Sequence, residues 1–154
     1  MLSLILMLQA TPAAPPELPP AFVEQTAALA KATVVSGFCL SLGWVPGSGA
    51  VADTEVARLR TEYGVSQSDA QILLLRQFAD AGEALKAQFP VDPAQPQTQA
   101  TRLAFLDQVD AYARQACAEV AGAYPAFFAG DIASNQALVD ARIAAVRQQE
   151  LARP

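Results

Sequence analysis

KATVVSGFCLSLGWV, residues 31–45, decides the fold of this 154-residue chain. From Ala32 to Ala52 there is no charged residue, and Cys39, one of only two cysteines, sits in the middle. A run this apolar needs a surface to bury against. Gly43, Pro46, Gly47 and Gly49 end its helical pattern well short of the roughly 20 apolar residues that a membrane span requires, so it reads as the central helix of a bundle. On the face of Cys39, three and four residues away, lie Val35, Ser36, Leu42 and Gly43; around Cys117 lie Ala113, Arg114, Val120 and Ala121. Small residues on both faces let two helices come close enough for the Cα separation of about 4.4 to 6.8 Å that a disulfide demands. With two cysteines and no third, the expectation is a Cys39–Cys117 bond joining this helix to a later one.

Running into this stretch from its N-terminal side, Phe22, Val23, Ala27, Ala30, Val34 and Phe38 recur at helical spacing, and Pro20 suits a first helical turn, so the first helix is expected over residues 21–42. Further back, MLSLILMLQATPAAPPELPP resembles a secretory signal peptide followed by a stiff leader. Residues 2–8 form a short apolar core, Thr11 and Ala13 give the small-x-small pattern of a cleavage site, and five prolines fall between Thr11 and Pro20. The expected organisation is a signal segment at 1–13, a proline-rich leader at 14–20 and one helical domain at 21–154.

After the first helix, the loop GWVPGSGAVA carries Trp44, the only tryptophan. Asp53 suits the N-cap of a short second helix over residues 54–63, with Gly64 just past its end. Ser66 and Asp69 open a third helix, in which Ile72, Leu75, Phe78, Leu85 and Phe89 form an expected buried stripe before Pro90 stops it. PVDPAQPQTQ, residues 90–99, reads as a linker. A fourth helix is expected over 100–123, with Val109, Ala113, Cys117 and Val120 on one face, and a fifth over 132–151, burying Leu138, Val139, Ile143 and Val146. The fold class is therefore all-α, a single-domain bundle of about five helices with one disulfide.

Ten basic and fifteen acidic residues leave a net charge of −5, and the cations are scattered rather than clustered, which argues against a nucleic-acid partner. LRTEYGVSQSDAQILLLRQF, residues 59–78, does resemble a DNA-binding helix-turn-helix, with its turn at Tyr63-Gly64-Val65-Ser66. But Arg60 stands where that motif needs a small residue, and Asp69 would lie near phosphates, so a plain two-helix corner is the better reading. The chain has no histidine, which removes the usual general base, the commonest zinc ligand and the usual switch between pH 5 and 8. There is no CxxC, no phosphate-cradling glycine loop and no metal-ligand cluster, so no cofactor and no metal are expected. Asp107 with Asp110, and Asp80 with Glu83, stand at spacings that any solvated helix face produces.

The functional expectation is an exported cell-envelope protein, periplasmic or secreted, that acts by binding rather than catalysis and has no membrane span in its mature chain. The adjacent Phe127 and Phe128, between Pro125 and Gly130, form with Trp44 a candidate partner surface for a protein or apolar ligand. A holdase-type chaperone of acid stress is the alternative, since fifteen carboxylates would lose their charge at low pH. An enzyme using carboxylates alone is a third class.

Overall fold

A computed structural model describes residues 17–153. The expected signal segment, 1–13, and the start of the leader, 14–16, lie outside the described residues. The elements are α1 (Pro20–Leu42), α2 (Val51–Tyr63), α3 (Gln67–Ala87), α4 (Gln99–Ala123), a single 3-10 turn (Pro125–Phe127) and α5 (Ile132–Leu151). Among the described residues there is no strand, only an isolated antiparallel bridge between Pro46 and Phe128.

α1 is the axis of the arrangement. Proline begins it, where a missing N–H costs nothing, and Gly43 ends it in the left-handed region at φ 117, with its N–H bonded back to Leu40. Two buried clusters share this helix. The first half packs Phe22 with Leu59, Val65 and Ala70 of the α2–α3 corner. The second half packs Ala32, Val35 and Cys39 with Ala113, Cys117 and Val120 of α4 and Val139 and Ile143 of α5. Because it is covered on more than one side, α1 has no clean one-sided pattern: Leu29 and Val35 are buried as deeply as Phe22 and Ala30, whereas Val23 and Val34 are half-exposed and Ala27 is exposed. Thr26 is also fully buried; its hydroxyl donates to the Phe22 carbonyl at 2.8 Å, so no polar group is left unpaired.

The disulfide joins Cys39 to Cys117 with the Cα atoms 5.8 Å apart, and both residues are fully buried. α1 and α4 are direct neighbours there. Small residues surround the bond on both helices, Ser36 and Ala113 among those buried, which is what lets two helices come closer than the usual 8 to 10 Å between axes.

Three expectations are corrected. Asp53 is not the cap of α2: the helix starts at Val51, with Ala50 at the N-cap and no side-chain cap bond, and Asp53 lies in its first turn. There it still favours the positive end of the helix dipole. The stripe on α3 is the larger correction, because Ile72 and Leu75 are 55 % and 72 % exposed. α3 faces α1 through Ala70, Leu73 and Gln77 instead, and Gln77 donates to the Val23 carbonyl at 2.8 Å. Leu138, on α5, is likewise exposed at 47 %. By contrast the Ser66 cap accepts the Asp69 N–H, the α2–α3 corner turns on Gly64 at φ 66, and residues 90–98 form an exposed connection without regular structure.

The bond closes a loop of 78 residues, for which the chain-entropy model gives a stabilisation of about 4 to 5 kcal/mol at most. Reduction should therefore lower the melting temperature by many degrees. Cys39→Ser and Cys117→Ser should lower it by similar amounts, since each removes the same bond; thermal melts of the three forms check this.

Candidate functional site

The residues singled out in the sequence meet at one end of the bundle. Trp44 and Phe128 pack edge to face with ring centroids 4.6 Å apart, and Phe127 stands 6.5 Å from Phe128. The two loops that carry them are laced together: the Gly47 N–H donates to the Phe127 carbonyl, and the Ala129 N–H to the Val45 carbonyl, both at 2.9 Å. A Cβ at position 47 would lie 2.1 Å from the Ala126 carbonyl oxygen, so only glycine allows this approach. Trp44 and Phe128 are buried members of the α1–α4–α5 cluster, and Phe127 is half-buried against it. The trio closes the end of the core, with a shallow pocket of about 470 Å³ beside it.

Asn135, a residue with no sequence signal of its own, holds this corner. It is 1 % exposed; its carbonyl oxygen accepts the Val45 N–H at 2.8 Å, and its amide donates to the Ala129 carbonyl at 2.8 Å and the Asp131 carbonyl at 3.1 Å. Both lacing loops are thus tied to the first turn of α5. Asp131 caps that turn, accepting the Ser134 N–H and hydroxyl, and these bonds hold its carboxyl below the usual carboxylate range.

An apolar groove of about 970 Å³ lies elsewhere, where Leu18, just before α1, and Val23, in its first turn, face Ile72 and Leu73 of α3. Asp69 and Arg76 also line it, whereas the exposed Leu75, three residues on from Ile72, does not. A second cleft, of about 310 Å³, lies between residues 90–97 and the facing ends of α4 and α5, with Phe105, Leu106 and Val146 as apolar walls. At its end, Glu150 is mostly buried but fully paired, with Arg102 at 2.6 Å and Arg153 at 2.9 Å. That triad ties the start of α4 to the end of α5.

Three of the four carboxylates noted in the sequence are ion-paired. Asp107 pairs with Arg147, Asp110 with Arg114, and Glu83 with Lys86. Burial pushes the Tyr112 hydroxyl above its usual range, with Glu119 adding to the effect, but Tyr112 packs between Phe38 and Phe89 as part of the core's aromatic edge. Among the described residues no three His, Cys, Asp or Glu side chains are grouped to hold a metal.

Asn135→Ala should cost about 1 to 3 kcal/mol, because backbone groups of two loops lose a buried partner, measurable by urea unfolding. Asp131→Ala should lower the melting temperature more at pH 7 than at pH 2. The folded-state carboxyl is depressed, so the charge-dependent stabilisation is present above the ordinary carboxylate range and is lost as pH falls through the lowered value. Melts of both proteins at the two pH values check the sign. Comparison with known proteins finds no matching family model, curated protein or solved structure.

Proposed function

We propose that the protein is an exported cell-envelope component, periplasmic or secreted, that works by binding a partner through the α1–α3 groove. The observation that carries this reading is Ile72, a large aliphatic side chain of that groove left more than half uncovered, beside Leu18, Val23 and Leu73. Removing such surface from water is worth about 25 cal/mol per Å², and a contiguous apolar patch on a folded protein marks an interaction site. The disulfide supports the location, since reducing compartments keep thiols apart, and it is compatible with an extracellular setting. No helix among the described residues is long and apolar enough to cross a membrane.

The groove also explains why Trp44, Phe127 and Phe128 are a weaker choice of partner surface: Trp44 and Phe128 are spent on the core.

Intact mass of the protein from its native host, with and without reductant, tests the location. The expected result is an N-terminus between Thr11 and Pro15 and a gain of two hydrogens on reduction; Met1 retained with free thiols would refute it. For the binding surface, Ile72→Glu should leave stability within about 0.5 kcal/mol and abolish co-purification of the partner at neutral pH. Retained co-purification would refute the groove, and dye binding that develops only near pH 3 together with protection of an aggregating client would favour the holdase class.

A further inference from the structure

The corner that resembles a helix-turn-helix contains a feature the bundle does not use. Arg60, on α2, is half-buried; its Nε is shielded from solvent and has no hydrogen-bond partner, and Arg60 forms no ion pair among the described residues. A buried guanidinium donor without an acceptor is costly, and native structures seldom tolerate one without a reason. Arg60 lines a cleft of about 280 Å³ between α2 and α3. The two helices meet at Gly64 and Val65, so Arg60 and Gln67 lie at the narrow end, and Ala52 and Phe78 at the wide one.

From these observations we infer that the α2–α3 cleft binds a small monocarboxylate with an apolar body, the carboxylate on Arg60. Three side chains near the narrow end are uncommitted: Arg60, Gln67 and Gln71 make no side-chain hydrogen bond among the described residues. All three can donate, and a planar guanidinium matches a carboxylate in geometry as well as charge. Val56, Leu74 and Phe78 provide apolar walls toward the wide end. Asp53 stands at that end, one charge opposing a second anionic group on the ligand. The volume is at the small end for ligand sites, which excludes a folded partner and suits a short alkyl or aryl acid. The site is independent of the α1–α3 groove and of where the protein resides.

Hexanoate, hexanol and hexylamine, which share one apolar body, provide the test on the disulfide-intact protein at neutral pH. Hexanoate should shift the amide resonances of Gln67, Gln71, Leu74 and Phe78 saturably; hexanol and hexylamine should bind at least about tenfold more weakly, the loss expected for a charge-assisted contact. Arg60→Met should remove the preference for hexanoate, while Arg76→Gln, a change of cation outside the cleft, should leave it intact. Equal binding of the three probes, no saturable shift with hexanoate, or shifts confined to Ile72 and Arg76 on the other face would overturn the assignment. The three-probe comparison needs no variant, so it decides the matter even if Arg60→Met folds poorly.

Discussion

The Cys39–Cys117 bond is the constraint on which the rest of the arrangement depends. It fixes α4 against the centre of α1, and α4 in turn seats α5, so the larger of the two buried clusters assembles around a covalent contact. The smaller cluster, at the start of α1, has Phe22 at its centre and only four buried members. A single long helix thus serves two cores of unequal size, one stapled and one held by packing alone.

That inequality explains where the surface is unfinished. Around the disulfide, helices approach from several sides, and Trp44, Phe128 and Asn135 seal the end of the cluster with bonded loops. Around Phe22 only α2 and α3 are available. Two helices cannot enclose a third, so apolar side chains on the outer face of α3 remain in water and a wedge stays open between α2 and α3.

Helix number, the span of α5 and the cysteine pairing were legible in the sequence through local signals: proline and glycine at helix ends, Ser66 as a cap, and two cysteines with small neighbours. The orientation of α3 was not. Ile72, Leu73, Leu74 and Leu75 are consecutive, and a run of four aliphatics covers every side of a helix, so periodicity cannot say which side faces α1. The choice falls to Gln77, whose bond to the Val23 carbonyl pins one face inward, and a glutamine is not a residue that hydropathy would place there. The role of Asn135 was hidden for the same reason. A buried polar side chain that serves backbone 90 residues away leaves no trace in its own neighbourhood.

The exposed linker at residues 90–98 lies inside the segment that the disulfide closes, so α2, α3 and this linker form part of a covalent ring. Cutting one strand of a ring does not divide it. A protease that cleaves the linker would leave two chains, one ending after α3 and the other beginning before α4, still joined through sulfur and still sharing the α1–α4 contact. Backbone continuity between α3 and α4 is thus dispensable for holding the halves together, and the chain has a site where it could be opened or extended without losing its covalent unity.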